Sequence, residues 1–222
     1  METDLSTSVM VDRLVSIRQY AFTTSTRGFS VERREQLVSV AFELFYRYGV
    51  HAIGINRVIA EAGVAKKTLY SHFSSKEALV AATVDYRDRQ FFAWIEGRIQ
   101  SAPDGLSALY ALFDALDDWF NEREKLIHAF HGCYFINVSA EFGDLNHPIH
   151  QQCASHKRAM LGLITRHVSQ LLSDEKTVTT LSEAIATLKE GATVQAHVMG
   201  DLKAAVKAKA IAAELLNARV KH

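Results

Sequence analysis

The stretch that most constrains the fold is Ile55–Phe73, INRVIAEAGVAKKTLYSHF. Val58, Ile59 and Ala62 share one face of a short helix, Ile55–Ala62. Gly63 then stops it, at a position where the backbone often takes positive φ. Val64 is an apolar plug after the turn. A second short helix is expected from Lys66 to His72, with Leu69 and Phe73 inward at i, i+4. Its remaining positions, Lys66, Lys67, Thr68, Tyr70, Ser71 and His72, all carry hydrogen-bond donors. A helix anchored on one side and cationic and hydroxylic on the other suits a DNA major groove better than a core.

The flanks extend the pattern. Leu37, Val40, Ala41, Leu44, Phe45 and Tyr48 form the 3/4-spaced stripe of a packing helix, Val31–Tyr48, closed by Gly49. After Phe73, Ser74-Ser75-Lys76-Glu77 reads as a serine cap with an acid in the first turn of a long helix. The string AFELFYRYGVHAIGINRVIAEAGVAKKTLYSHFSSKEALVAA resembles the N-terminal domain of the tetracycline-repressor (TetR) family over roughly residues 33–82. The resemblance implies an all-α protein with a three-helix helix-turn-helix head and a helical body for ligand binding and dimerisation. The corresponding division is 1–30 as a flexible extension, 31–77 as the head and 78–222 as the body. Where the family usually places Thr or Ser before the second helix, this chain has Gly54, an acceptable cap that forgoes one phosphate contact.

The resemblance and the side-chain chemistry together nominate the DNA-facing residues. Lys66 and Lys67 open the recognition helix, where Lys67 can donate to guanine O6 and N7. Ala65 and Ser71 join them as base-reading candidates. Thr68, Tyr70 and His72 match family positions that hold phosphates. Lys76, at a helix N-terminus, and Arg33, near the start of the first helix, are further phosphate candidates.

The charge distribution agrees. The net charge is zero, but residues 1–76 hold ten Lys/Arg against seven Asp/Glu, and the remainder fifteen against eighteen. The positive excess sits with the head, and a dimer doubles it on one duplex. Two cysteines, Cys133 and Cys153, form no disulfide framework, and the opening METDLSTSVM is too polar for a secretory signal; both point to a reduced, cytoplasmic chain. No apolar run is long enough for a membrane span. In the extension, Val11, Leu14 and Val15 suggest a short helix, and Arg13, Arg18 and Arg27 a basic arm that either reaches DNA or frays.

The body reads as further helices: Ala78–Ser101, Gly105–Glu124, a segment Leu126–Phe142, His150–Leu172, Thr177–Met199 and Leu202–Val220. Arg87-Asp88-Arg89 is expected to be a solvated band, and Asp114, Asp117 and Asp118 an exposed acidic face. Leu126–Phe142 mixes aromatics with polar groups. Read as one helix, it places Cys133, Asn137 and Glu141 on one face, where a buried polar line needs partners in protein or ligand. With Trp119, Phe130 and Tyr134 they are candidates for a small-molecule cavity, and His197 is a further one. His147, His150, Cys153 and His156 recur every third residue. That spacing lags about 60° per step, so the set fans around the helix and is a weak metal site.

No nucleophile elbow or phosphate-binding glycine loop is present, and no cofactor is implied. The expected function is a ligand-responsive regulator, a repressor released from a palindromic operator by an inducer. The alternative is a metal-responsive regulator with the same head. Alanine-rich helices over 177–220 suit a homodimer through a four-helix bundle, placing two recognition helices about 34–36 Å apart on DNA.

Overall fold

The computed structural model describes residues 31–220 and contains nine α-helices and no strand among them. The expectations for residues 1–30 lie outside the described residues. The head comprises α1 (31–48), α2 (Ile55–Ala62) and α3 (Lys66–His72). The body follows as α4 (Lys76–Ile99), α5 (Gly105–Phe120), α6 (Tyr134–Glu141), α7 (Pro148–Val168), α8 (Glu175–Met199) and α9 (Ala204–Val220).

Local signals set most of these boundaries. Gly49 (φ 86°) and Gly63 (φ 61°) take the left-handed conformation that ends α1 and α2. The Gly63 N–H donates to Ala60 O and the Val64 N–H to Ile59 O, closing the α2 carbonyls. Ser75 caps α4 by accepting from Ala78 N at 3.1 Å, and Asp104 caps α5 from Ser107 N at 2.7 Å. Pro148 opens α7 with His147 as its cap. As its sequence suggests, Gly54 caps α2 without a side-chain bond.

One continuous apolar core runs from head to body. Leu37, Ala41, Phe45, Val58, Leu69 and Phe73 bind the three head helices together and are essentially unexposed. Each full burial of such a side chain is worth roughly 1.5–3 kcal/mol. Tyr48 departs from its expected stripe. It is 46% exposed and lies under the Arg57 guanidinium, 4.5 Å from its ring centre.

Three body expectations are corrected. Residues 121–133 are irregular, and only Tyr134–Glu141 is helical in the segment expected as one helix. Gly132 (φ 81°) breaks it, and a Cβ there would lie 2.7 Å from the His197 ring. Arg87 is no part of a solvated band, being 1% exposed. Its place follows from phase: Val80, Thr83, Val84, Arg87, Phe91, Trp94 and Ile95 all lie on the buried face of α4. The acidic face of α5 is largely paired. Asp118 accepts from Arg98 and Arg123, Asp117 from Arg123 and Asp114 from Lys209.

Candidate nucleic-acid interface and effector cavity

On α3, Leu69 is fully buried and Phe73, just after it, is 3% exposed, which fixes the helix against α1 and α2. The opposite face is open. Lys66, Lys67, Tyr70 and Ser71 are exposed, as is Ala65, the N-cap, whereas Thr68, His72 and Lys76 are half-buried. The Lys66 ammonium lies 6.0 Å from the Tyr70 ring centre. Ser71 Oγ donates to Thr68 O at 2.7 Å, so its hydroxyl offers an outside partner lone pairs rather than a proton. Arg33 is exposed and donates to Gln36 Oε1 at 3.0 Å. Gln36 in turn donates to Ala62 O at 3.0 Å, tying α1 to the end of α2.

The head is fastened to the body at three points. Tyr46 of α1 donates from its hydroxyl to Gly132 O at 2.6 Å and accepts from His131 N at 3.0 Å. Burial lifts its pKa to about 12, so it remains a phenol. Glu43 pairs with His128, and that bond holds its carboxyl below the usual range. Glu141, at the end of α6, accepts from Val50 N at 2.6 Å and His51 N at 2.5 Å. This corrects the ligand assignment of Glu141, whose carboxylate caps the turn after α1. Asn137 is also engaged elsewhere, donating to His131 O at 3.2 Å.

A small cavity lies where α4, α5, α7 and α8 meet the start of α6. Trp119, Cys133 and Tyr134 reach it, as does His156 of the spaced His/Cys series, together with Arg87, Phe91, Phe135, Lys189 and Thr193, which are not among the residues expected to line a cavity. Phe130 lies behind it, packed on Trp119 at 4.8 Å between ring centres, and His197 is exposed at the surface. The space remaining admits the centre of about one water, roughly 10 Å³.

The cavity's polar groups are mostly paired. Thr83 Oγ1 donates to Val80 O, so the Tyr134 hydroxyl donates to Thr83 at 2.7 Å. Lys157 donates to Cys133 Sγ at 3.2 Å and to Glu190 at 2.6 Å. Lys189 donates to the same Glu190 at 2.8 Å. Burial works to raise the Glu190 pKa, but the two ammonium groups outweigh it and hold it at about 2. His156 Nδ1 meets Asp88 Oδ1 at 2.7 Å, yet burial dominates and lowers its pKa to about 4, leaving a neutral ring that donates to Asp88. Arg87 is the exception: neither terminal nitrogen has a hydrogen-bond partner.

The spaced His/Cys series is spent on local structure. His147 Nδ1 accepts from Ile149 N, His150 Nδ1 lies 2.8 Å from Phe142 O, and burial raises the Cys153 pKa to about 12. Among the described residues no group of three or more His, Cys, Asp or Glu is placed to hold a metal ion.

An all-α chain presenting a short, anchored, cationic helix after a tight turn is a helix-turn-helix DNA-binding protein. Residues 37–83 match the profile of bacterial regulatory proteins of the tetR family, and residues 105–212 match a tetracycline-repressor-like C-terminal domain. The chain belongs to the TetR family of transcriptional regulators. It is 34% identical over 94 residues to the transcriptional activator FasR of Mycolicibacterium smegmatis, covering 42% of this chain and 43% of that protein. It is 25% identical over 170 residues to the transcriptional repressor ComR of Escherichia coli, covering 74% and 79%. A crystal structure of a TetR-family regulator from Streptomyces coelicolor superposes with a TM-score of 0.75 at 29% identity, covering 84% of this chain and 95% of that one. The protein is therefore a DNA-binding transcriptional regulator of a family whose fold implies operator binding and dimer formation, and not an enzyme. No helix among the described residues is long and apolar enough to cross a membrane.

Proposed function

We propose that the protein is a repressor that binds a near-palindromic operator as a homodimer and is released by a small organic inducer. The carrying observation is the division of α3, with Leu69 at 0% exposure behind an exposed face of Lys66, Lys67, Tyr70 and Ser71. On this reading Lys66 and Lys67 reach base edges, with Ala65 in close apposition. Ser71 accepts a hydrogen bond, and Thr68, Tyr70, His72, Lys76 and Arg33 set the register on phosphates. ComR, which matches more of this chain than the activator FasR does, supports the repressor sign. The partner copy docks on α8 and α9, where Val198 and Met199 stand 75% and 73% exposed. The inducer acts on the body, shifting the two heads to a spacing that no longer fits DNA, within the limit of its differential affinity for the two states.

The test is to select an operator from genomic fragments and measure binding by fluorescence anisotropy. Lys67→Ala is expected to weaken operator binding by about 1–3 kcal/mol and leave random DNA less affected. Lys76→Ala is expected to weaken both alike and reduce the salt slope. Equal loss on both DNAs for Lys67→Ala would make it a phosphate contact. Unchanged binding for both variants would overturn the assignment of α3.

A further inference from the structure

Arg87 is the one buried cation in the described body that the protein leaves without a hydrogen-bonded partner. Its side chain is 1% exposed, both terminal nitrogens are unsatisfied, and it takes part in no ion pair among the described residues. A guanidinium keeps its charge in such a site. Four aromatic rings surround it, Phe42 and Tyr46 from α1, Phe91 from α4 and Trp119 from α5, with centres 5.2 to 5.6 Å from Cζ. Ring faces offset part of the charge but accept no directed hydrogen bond equivalent to a carboxylate. A buried cation that is neither paired nor hydrogen-bonded is costly.

The remaining charges deepen the imbalance. Lys189, 3% exposed, lines the same cavity and shares its only carboxylate, Glu190, with Lys157. Two ammonium groups thus share one acid, and Glu43, the carboxylate whose charge reaches Arg87, is already held by His128. The walls beside them, Phe91, Trp119 and Phe135, are flat and apolar.

We infer that the effector of this regulator is an organic carboxylate with a flat or chain-like apolar body, its carboxylate taken by Arg87 and its body by the aromatic walls. This rests on the reading that the body binds a small organic inducer, and it names that inducer's chemical class. The cavity in its present state admits about one water, so the ligand must open it. The weakest support is at Cys133, which lines the cavity and ends 121–133, a segment with no helical hydrogen-bond ladder. Opening it disturbs Gly132 and His131, the two residues that hold the Tyr46 hydroxyl. Turning Arg87 toward a carboxylate also draws it off the Phe42 and Tyr46 rings of α1. Both movements loosen the head from the body, so occupancy is coupled to the DNA-binding helices by direct contact.

The experiment uses the full-length protein. Benzoate, phenylacetate and octanoate are compared with benzamide, phenylacetamide and octanamide by calorimetric titration and thermal shift, at matched ionic strength, with phosphate as an inorganic control. At least one carboxylate is expected to bind at least ~10-fold more tightly than its amide and than phosphate. Arg87→Met and Lys189→Gln are each expected to remove most of that preference. Arg87→Lys, which keeps the charge but not the fork, is expected to retain part of it and serves if Arg87→Met does not fold. Amides binding as tightly as their acids, phosphate competing equally, or a preference indifferent to both positions would overturn the inference. Release of labelled operator is scored separately. A carboxylate that binds without releasing DNA leaves the anion site standing and sinks the inducer reading. Release by neutral or cationic compounds alone preserves the inducer reading and sinks this one.

Discussion

Gly54 and His156 show how single positions set stability and DNA contact in this chain. Gly54 caps α2 with φ −80° and ψ 154°, ordinary extended values, and a Cβ there would meet no atom within 4 Å. The position neither needs glycine's conformational freedom nor uses a side-chain cap. Gly54→Ser is therefore expected to raise stability by a few tenths to about 1 kcal/mol, from the cap and from a less flexible unfolded chain. Operator and random DNA are both expected to bind somewhat tighter, because a hydroxyl at this helix start meets phosphate rather than base. Denaturant melts and anisotropy titrations on both DNAs check the two parts. His156 works through pH. It stacks on Phe135 at 3.5 Å between ring centres, is 2% exposed, and its pKa falls from 6.5 to about 4, chiefly by burial, with Lys189 and Lys157 adding and Asp88 opposing. The native state thus refuses a proton that the unfolded chain accepts. The stability this represents is fully present above pH 6.5 and is lost as pH falls toward 4, a difference of about 3 kcal/mol. His156→Phe is expected to flatten that part of the stability curve, read as the difference between wild-type and variant urea melts across pH 4 to 7. Parallel curves would show that the imidazole is protonated in the native protein.

At the scale of elements, the three-helix head was legible in the sequence because glycines, caps and apolar spacing there all favour one structure. The body was less so. In α4 the apolar residues Leu79, Ala82, Tyr86, Phe92 and Ile95 drift around the axis, so the pattern alone does not fix which face is buried, and Tyr86 and Phe92 are only partly buried. The buried phase runs through Val80, Val84, Phe91 and Trp94, and it carries Arg87 inward with it. A charge normally argues against such a phase, which is why the residue most telling for ligand chemistry was read as solvated. In the same way, Cys133 to Glu141 reads as a helix face only if the helix begins early. Gly132 and the bonds from Tyr46 begin it at Tyr134 instead, so Cys133 turns to the cavity and Glu141 to the head. That reassignment gives Glu141 a measurable task. Its carboxylate holds the amides of Val50 and His51, and hydrogen bonds to a charged group are worth roughly 1.5–3 kcal/mol. Glu141→Ala is expected to lower stability by about that amount and to speed hydrogen exchange at residues 50 and 51. Glu141→Gln, which keeps one acceptor oxygen, is expected to fall between. Unchanged exchange in the alanine variant would mean that the turn after α1 holds itself.

On the proposed reading, ligand chemistry stays within one chain while DNA recognition needs two. Every residue lining the cavity belongs to α4–α8 or to Cys133, the cap of α6, whereas seven of the twelve exposed large apolar residues lie on α8, α9 and the turn between them. On α8 these are Val194, Val198 and Met199. Leu202 follows in the turn, and Val206, Ile211 and Leu215 continue along α9, each 38–75% exposed. The alanines Ala192, Ala196, Ala204, Ala205, Ala208 and Ala212 are buried, letting the two helices approach closely and present this outer stripe as one surface. Such an apolar strip is costly in water, and on the proposed reading it seats a second copy. Placing a carboxylate on each helix, Val198→Asp with Val206→Asp, is expected to yield a helical monomer by analytical ultracentrifugation, since neither site is part of the core. Linking two heads supplies the second by effective concentration, typically 10²–10⁴-fold in avidity, so operator affinity is expected to drop by about 100-fold or more. The salt slope is expected to fall by roughly half, because half the phosphate contacts remain. Ligand affinity in the same variant is expected to stay near wild type, because the cavity is complete within each chain. A variant that remains dimeric would move the interface to another face, and a monomer that keeps full operator affinity would show that one recognition helix suffices.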